Sequence, residues 1–312
     1  MTKKLIAALL SAAMLFMLFG CSGKSEKTQS AASGDAETSA QSSAETTLES
    51  KAEASETDIY EYTDREIYSG SSNDIYGVAY IPEKDGKTPL VIISHGLGAN
   101  HRSCEEYARR FAEKGYSAYV FDFPNGSRPH LDNKSGDDST KMSVMTEADA
   151  LGEVLTSAKG WDFADSEKIY LMGESQGGLV SSLVACDRPG EVAGLMLLYP
   201  AFNIPDEIHE AYQSLDEVPE ETEIYDGLPV GKIYASDVWD LYVYEKLPAY
   251  TGKVVIVHGD NDSVVDISYA QQAKKTFKNC ELQIISGAHH GFSGEYFEQA
   301  AQYLLDYLKE NK

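Results

Sequence analysis

A serine lies in a pattern that is typical of a nucleophile. Ser175 is the third residue of a G-x-S-x-G pentapeptide at 173–177. The apolar run at 169–172 predicts a strand before it, and another apolar run predicts a helix after it. In such a sharp turn the serine Oγ projects above the sheet, and the helix N-terminus points toward negative charge that develops during a reaction. The sequence therefore predicts Ser175 as a nucleophile for acyl transfer.

Two histidines can supply the base that a serine nucleophile needs. A serine hydroxyl is a weak nucleophile unless a base lies within hydrogen-bond distance of it. His289 and His290 follow the apolar run at 282–285, which predicts the last strand. A loop at that strand end can carry an imidazole over the turn at Ser175. The pattern alone leaves both histidines as candidates.

Three aspartates compete to be the acid that orients this base. A carboxylate beside the imidazole fixes its tautomer and stabilises the imidazolium form. Asp260, Asp262 and Asp266 all follow the strand predicted at 254–257. Surface loops of so acidic a chain often carry carboxylates, so the residues by themselves leave all three open.

The tetrahedral intermediate of acyl transfer needs at least two hydrogen-bond donors for its oxyanion. In a turn of this kind, one donor is the backbone N–H of the residue after the nucleophile, here Gln176, and the other comes from the loop after the third strand. That loop reads SHGLG at 94–98, and we expect Leu97 N–H to be the second donor. We expect His95 in the same loop to be structural rather than catalytic.

Strands that alternate with helices must position these groups. Thr146 with Asp149 predicts one helix start through a capping box, and an amphipathic pattern over 297–308 predicts the last helix. The alternation predicts an α/β protein whose mostly parallel eight-stranded sheet has helices on both faces, with the first two strands antiparallel. The predicted strands lie at 59–68, 75–81, 90–94, 118–121, 169–172, 195–199, 254–257 and 282–285.

The start of the chain reads as a targeting segment and a tether. Two lysines precede an apolar run at 5–19, which is too short to cross a bilayer comfortably and is typical of a secretory signal. The tetrapeptide LFGC at 18–21 resembles a bacterial lipobox, which predicts a lipoprotein signal peptide at 1–20 and a lipid on Cys21. Residues 21–57 have no aromatic residue and predict a flexible tether. We therefore expect a lipid-anchored protein on the extracytoplasmic face of a cell membrane.

The catalytic domain is predicted at 58–312, with an insert at about 203–250. This insert separates the strands predicted at 195–199 and 254–257, and it is too long for an ordinary crossover. We interpret it as a cap over the C-terminal edge of the sheet. The insert is rich in tyrosine, and its tyrosines either recognise an aromatic substrate or pack the cap, with neither favoured by the pattern.

Composition restricts the partners of the chain. The formal net charge is −24, and about −26 without the two lysines of the signal segment. A charge of this sign repels nucleic acid and anionic lipid headgroups, so membrane attachment must come from the lipid. Beyond Cys21, the cysteines are Cys104, Cys186 and Cys280, of which any two could form a disulfide. No motif for a metal, phosphate or dinucleotide is present, and we expect no cofactor.

From residue 88 onward the chain resembles bacterial serine esterases of the α/β-hydrolase superfamily, in particular the cinnamoyl and feruloyl esterases. The matching stretches are SHGLGAN, FDF, GESQGG, HGDNDSVV and GAHHGF. The resemblance implies Ser175, Asp262 and His290 as the catalytic residues, because in those enzymes the histidine stands directly before Gly-Phe and the aspartate follows H-G-x-x. It also implies the two oxyanion amides named above, an insert that shapes the acyl pocket, and small or aromatic acyl esters as substrates. Glu174 stands where those enzymes usually have histidine.

Two other classes of protein fit parts of the pattern. A serine peptidase related to prolyl oligopeptidase shares this catalytic domain, but it normally carries a large propeller, which we do not expect here. A catalytically inactive, lipid-anchored binding protein is the other alternative, although such a protein has no reason to keep every group of the site. A dienelactone hydrolase would carry cysteine in place of Ser175.

Overall fold

Eight strands form one mixed sheet, with the strand that leads to Ser175 near its middle. The computed structural model describes residues 59–225 and 227–311. The strands of this part are β1 (Tyr62–Ser69), β2 (Ile75–Pro82), β3 (Thr88–Ser94), β4 (Ser117–Phe121), β5 (Ala164–Glu174), β6 (Gly194–Leu198), β7 (Glu221–Ile224), β8 (Leu228–Gly231), β9 (Lys253–Gly259) and β10 (Cys280–Ile285). The order in the sheet is β1-β2-β4-β3-β5-β6-β9-β10, and β7 pairs with β8 in a separate ribbon.

The strand directions follow the sequence-based prediction. β2 is antiparallel to β1 and to β4, and every other neighbouring pair in the large sheet is parallel. All eight predicted strands are present, so the predicted fold class is confirmed. Parallel strands share one carboxyl edge, and this edge therefore collects the loops after β3, β5, β9 and β10.

Helices cover both faces of the sheet. They are α1 (Glu105–Glu113), α2 (Val144–Ala158), α3 (Gln176–Asp187), α4 (Ile204–Ala211), α5 (Ile233–Ser236), α6 (Val243–Lys246), α7 (Ile267–Thr276) and α8 (Glu295–Glu310). Alternate residues of β3 enter different cores, as the two-residue period of a strand requires. Val91 and Ile93 pack with α1 and α8, whereas Leu90 and Ile92 pack with α2, α3 and α7.

Helix α2 begins earlier than the sequence predicts. Ser143 is the N-cap, and its Oγ accepts from Thr146 N–H at 3.1 Å while Thr146 Oγ1 accepts from Ser143 N–H at 2.9 Å. The capping box predicted for Thr146 with Asp149 is therefore wrong, because Thr146 is the third residue of the helix rather than its cap.

The insert between β6 and β9 contains α4, the β7–β8 ribbon, α5 and α6. The sequence predicts neither strand of the ribbon, since each is only four residues long. The hydroxyls of Tyr225, Tyr234, Tyr244 and Tyr250 all donate hydrogen bonds inside the protein. These contacts favour packing of the insert as the role of these four tyrosines.

The predicted signal peptide, the tether and Cys21 lie outside the described residues. Within residues 59–225 and 227–311, no helix has both the length and the apolar character needed to span a bilayer. Cys104, Cys186 and Cys280 are all free thiols, and the first two are buried.

Glycines let α3 approach the sheet closely next to Ser175. A Cβ built on Gly177 would lie 2.4 Å from the carbonyl oxygens of Ser94 and His95. A Cβ built on Gly173 would lie 2.1 Å from the carbonyl oxygen of Gly177. These neighbours are backbone atoms, which cannot move aside as a side chain can, so the packing of β3, β5 and α3 depends on both glycines.

We therefore expect Gly177→Ala to destabilise the protein by at least about 2 kcal/mol, because the new methyl group overpacks this contact. Urea unfolding of the variant measures the change. Gly190→Ala is the control, since a Cβ there has no neighbour within 4 Å, and it should unfold like the wild type. Equal stability of the two variants would show that α3 can shift away from the sheet.

Candidate active site

Ser175 occupies a strained turn between β5 and α3. Its backbone has φ 51° and ψ −118°, a conformation that residues other than glycine rarely adopt. Its carbonyl accepts hydrogen bonds from the N–H groups of Gly178, Leu179 and Ala201 at 2.9, 3.3 and 2.9 Å. Its own N–H donates to the carbonyl of Leu198 at 3.0 Å. Such a conformation persists only where its surroundings fix it, and these bonds do so.

Ser175, His290 and Asp262 form a continuous chain of hydrogen bonds. Ser175 Oγ lies 3.0 Å from His290 Nε2, and His290 Nδ1 lies 2.8 Å from Asp262 Oδ2. Because the Asp262 carboxylate can only accept, Nδ1 carries the proton and Nε2 accepts from the serine hydroxyl. The structure thus brings together three residues that the sequence singles out, from the loops after β5, β9 and β10.

The competing candidates make other contacts. His289 is exposed, and its Nδ1 donates to the carbonyl of Asn261 at 2.9 Å. Asp260 accepts hydrogen bonds from the loop after β10 and so ties that loop to the one after β9. Asp266 caps the N-terminus of α7. Each of these groups therefore has a structural partner away from Ser175.

Asp262 is held in its anionic form. Burial by itself raises the pKa of Asp262, but hydrogen bonds from His258 and His290 outweigh burial and hold the pKa well below its ordinary value. Its Oδ1 also accepts from the N–H groups of Val264 and Val265, both at 2.9 Å. A carboxylate with this many donors stays charged at neutral pH, as the stabiliser of an imidazolium must.

His258 is a partner of Asp262 that the sequence analysis did not identify. Its Nε2 lies 3.3 Å from Asp262 Oδ2 and 2.9 Å from the carbonyl oxygen of Val265. Both neighbours are acceptors, so Nε2 carries the proton. The signal in the sequence was the histidine of H-G-x-x-D at the end of a strand, four residues before the aspartate.

Aromatic rings support the imidazole of His290. The ring of Tyr199 lies 4.7 Å from that of His290 between centroids, and the ring of Phe292 packs edge-on against Tyr199 at 4.8 Å. Tyr199 follows β6 directly and has a φ of 37°. Ring contacts of this kind restrict the directions that His290 can take.

The backbone amides of Leu97 and Gln176 belong to segments that lie next to Ser175. A Cβ built on Gly96 would lie 3.4 Å from Ser175 Cβ, so the loop after β3 lies against the serine turn. In the part of the chain that the structure describes, neither Leu97 N–H nor Gln176 N–H donates to a backbone carbonyl outside regular strands and helices. Gln176 is the first residue of α3, where the helix itself supplies no acceptor.

His95 fixes the loop that carries Leu97. Its Nε2 accepts from Phe123 N–H at 3.2 Å, and its Nδ1 donates to the Gly96 carbonyl at 2.9 Å. Burial lowers the pKa of His95 to about 4, although the hydrogen bond to Gly96 acts in the opposite direction. A neutral ring with both nitrogens engaged fits the structural role that the sequence predicts for it.

Two buried carboxyl groups lie beside the site. Burial raises the pKa of Glu174 to about 7, although contacts with Cys104 and Tyr199 lower it. Burial raises the pKa of Glu147 to about 8, and a hydrogen bond from Gln176 opposes this only in part. Glu147 thus prefers its neutral form at pH 7, in contrast to the anionic aspartate of the site. No signal in the sequence marks Glu147, because it stands in an ordinary helical pattern.

The sheet order, the helices on both faces and the serine turn after β5 define the α/β-hydrolase fold. A family profile described as "Serine aminopeptidase, S33" matches residues 86–222. Est1E from Butyrivibrio proteoclasticus, solved with ferulic acid bound, superposes with a TM-score of 0.67 at 26% identity. That match covers 76% of this chain and 96% of Est1E.

Relatives among characterised proteins include hydrolases of esters. The chain is 25% identical to feruloyl esterase B of Neurospora crassa over 213 residues, which are 64% of this chain and 68% of that protein. It is 26% identical to the quorum-quenching protein AidA of Acinetobacter baumannii over 100 residues, 32% of this chain. The chain spans only 31% of the length of that second relative.

Glu147 should make the stability of the protein depend on pH. The carboxyl group of Glu147 releases its proton near pH 4.5 in the unfolded chain and only near pH 8 in the folded protein. The free energy of unfolding therefore falls as pH rises between these values. We expect Glu147→Gln to remove this loss and to gain on the order of 3 kcal/mol over the wild type between pH 5 and pH 8.

Urea unfolding at the two pH values measures this gain. Glu106→Gln, which changes an exposed glutamate of α1, is the control and should track the wild type within about 0.5 kcal/mol. A constant difference between Glu147→Gln and the wild type at both pH values would contradict a buried, neutral Glu147.

Proposed function

We propose that this chain is a serine hydrolase of carboxylic esters, with Ser175 as nucleophile, His290 as general base and acid, and Asp262 as the residue that orients His290. The observation that carries the proposal is the chain of hydrogen bonds from Ser175 Oγ through His290 to Asp262, at 3.0 and 2.8 Å. A nucleophile, a base and an orienting carboxylate in this geometry are the requirements of acyl transfer through a covalent intermediate.

In the first half of the reaction, Ser175 Oγ attacks the ester carbonyl carbon while His290 Nε2 takes the hydroxyl proton. The carbonyl oxygen becomes an oxyanion, which the N–H groups of Leu97 and Gln176 stabilise. When this intermediate collapses, the bond from carbon to the alkoxy oxygen breaks, and His290 gives its proton to the leaving alcohol. The acyl group then remains bonded to Ser175.

In the second half, water attacks the acyl carbon and His290 takes a proton from it. The same two amides hold the second oxyanion. Collapse returns the proton from His290 to Ser175 Oγ and releases the carboxylic acid. Asp262 stays anionic throughout and stabilises the imidazolium that forms in each half. No step needs a metal or cofactor.

We propose small or aromatic acyl esters as the substrates, hydroxycinnamoyl esters among them. The similarity to feruloyl esterase B and to Est1E with its ferulic acid supports this choice. The insert between β6 and β9 follows Tyr199, whose ring packs on His290, so it is suited to shape the acyl pocket.

A serine peptidase is the second candidate, because the matching family profile is described as an aminopeptidase. Such an enzyme needs a carboxylate to bind the substrate's ammonium group. Glu207 is the carboxylate of the insert whose charge interacts with His290. Its oxygens already accept hydrogen bonds from Tyr225 and Asn203 at 2.6 and 2.7 Å, and burial raises its pKa. A carboxylate with these partners is poorly suited to bind an ammonium ion, which favours the ester.

Replacement of the nucleophile tests the proposal directly. Ser175→Ala should lower kcat about ten-thousand-fold or more, because within residues 59–225 and 227–311 the hydroxyl that hydrogen-bonds His290 Nε2 is that of Ser175. The control is Ser181→Ala in helix α3. The buried Ser181 hydroxyl donates to the Met172 carbonyl at 3.4 Å, and this variant should retain its activity. The measurement uses a panel of short-acyl, long-acyl and hydroxycinnamoyl esters together with an aminopeptidase substrate.

Each alternative outcome of the panel has a clear meaning. Ester hydrolysis at the original rate in Ser175→Ala ends the assignment of the nucleophile. Faster cleavage of the peptide than of any ester favours the peptidase. A folded wild type that turns over no substrate favours the inactive, lipid-anchored binding protein.

We further propose that the chain is lipidated on Cys21 and anchored to the extracytoplasmic face of a cell membrane, as the LFGC sequence at 18–21 suggests. Expression in a bacterial host with a palmitate analogue should label the wild type and place it in the membrane fraction. Cys21→Ser should lose both the label and the membrane association, whereas Cys280→Ser should keep them. Label that persists in Cys21→Ser would contradict the anchor.

A further inference from the structure

The side chain of Gln176 is held at both ends by buried groups. Its Nε2 donates to Glu147 Oε2 at 2.9 Å, and its Oε1 accepts from the hydroxyl of Tyr234 at 2.8 Å. Glu147 and Tyr234 are 1% and 4% exposed, and Gln176 is fully buried. A continuous chain of hydrogen bonds therefore runs from helix α2, through the first residue of α3, to helix α5 of the insert.

This chain of hydrogen bonds occupies the whole side chain of Gln176. Both ends of its amide have protein partners, so the side chain has no polar atom left to offer to a substrate. The backbone N–H of the same residue makes no hydrogen bond to a loop or turn carbonyl of the described chain. Gln176 thus presents its backbone donor, while its side chain serves as an anchor.

Glu147 is suited to hold the side chain of Gln176 in place through its uncharged carboxyl group. Apart from Gln176, its carboxyl has no hydrogen-bonding partner in residues 59–225 and 227–311, and no Lys, Arg or His of that part forms an ion pair with it. An ionised carboxylate without a cation is costly to bury, so the neutral acid is favoured. The charged groups that lie on neighbouring elements, such as Asp237 of the insert, are directed to other partners.

Tyr234, the second partner of the Gln176 side chain, belongs to the insert, and hydrogen bonds join the insert to the start of α2. Ser143 Oγ, the cap of α2, donates to Asp237 at 2.6 Å. Ser139 Oγ donates to the Pro229 carbonyl of β8 at 2.6 Å. The start of the helix that carries Glu147 and the insert that carries Tyr234 are therefore joined by hydrogen bonds of their own.

We propose that Glu147 and Tyr234 are positioning residues, which hold Gln176 so that its backbone N–H stays directed at the oxyanion formed on Ser175. This inference rests on the proposed ester hydrolysis and extends it, because it makes the insert a part of the oxyanion hole as well as a cover for the acyl pocket. An oxyanion donor must stay fixed to within a fraction of an ångström, and small displacements cost much of its effect.

Removal of either anchor should lower kcat rather than substrate affinity. In Tyr234→Phe the side-chain oxygen Oε1 of Gln176 loses its donor. In Glu147→Leu the side-chain Nε2 of Gln176 loses its carboxyl acceptor and keeps only the weak sulfur acceptor of Met142 at 3.6 Å. A buried side-chain amide that has lost a hydrogen-bonding partner rotates toward a new one, and the adjacent backbone moves with it. We expect kcat on a good ester substrate to fall about tenfold or more in each variant, with KM within about threefold of the wild type.

A conservative variant and a matched control separate positioning from stability. Glu147→Gln keeps an uncharged acceptor at the same place and should retain at least half of the wild-type kcat. Tyr250→Phe removes another buried tyrosine hydroxyl, which donates to the Val192 carbonyl at 3.1 Å. Tyr250 precedes the amino end of β9, away from the edge that carries Ser175, so this variant should lose stability without losing kcat.

Affinity for a trifluoromethyl ketone gives a second readout, because this inhibitor forms an oxyanion on the nucleophilic serine. In Tyr234→Phe the affinity for this ketone should fall by the same factor as kcat falls. In Tyr250→Phe the affinity should stay unchanged. Ketone affinity that is unaffected in Tyr234→Phe, or a fall in kcat that Tyr250→Phe shares, would overturn the proposal. The two tyrosine variants keep it testable if Glu147→Leu does not fold.

A spectroscopic measurement distinguishes failure of this inference from failure of the proposed function. The backbone amide resonance of Gln176 in the 15N-labelled protein should shift in Tyr234→Phe and not in Tyr250→Phe, whether or not the protein hydrolyses esters. An unmoved Gln176 resonance overturns the positioning role. Lack of turnover by the wild type on every ester overturns the proposed function instead.

Discussion

The positive φ of Ser175 is the constraint on which the rest of the site depends. A side chain in this conformation is strained, and it is retained because three N–H groups bind the Ser175 carbonyl and its own N–H is bound in turn. Gly173 lets β5 meet α3 closely enough to form this turn, and Gly177 lets α3 approach the end of β3. The loop after β6 contributes one of those three N–H groups, from Ala201, and it also carries the tyrosine that packs on His290.

Three buried acids next to this turn differ in charge because their partners differ. Asp262 receives hydrogen bonds from two histidines and two backbone amides, so it remains an anion and can stabilise an imidazolium. Glu147 and Glu174 lack such donors, and burial therefore raises the pKa of each. Asp262, which faces the base, is thus held as an anion, whereas burial favours the neutral forms of Glu147 and Glu174. Neutral neighbours do not oppose an oxyanion that develops on Ser175.

The sequence predicted the sheet and the residues at its carboxyl edge because both leave local signals. Buried strands read as apolar runs, and the turn at Ser175 requires glycines at fixed spacing. The start of α2 was misplaced because Ser143 and Thr146 are both good caps, and only their mutual hydrogen bonds decide between them. The contacts of Gln176 with Glu147 and Tyr234 join residues 29 and 58 positions away, so no local pattern could predict them.

The most direct test of the account is to trap the nucleophile with a fluorophosphonate and map the labelled peptide by mass spectrometry. The reagent reacts with a serine hydroxyl only where a base removes its proton. The account predicts a single label on Ser175 in the wild type, and a rate of labelling that falls by orders of magnitude in His290→Ala. A label on another residue, or an unchanged rate in His290→Ala, would contradict it.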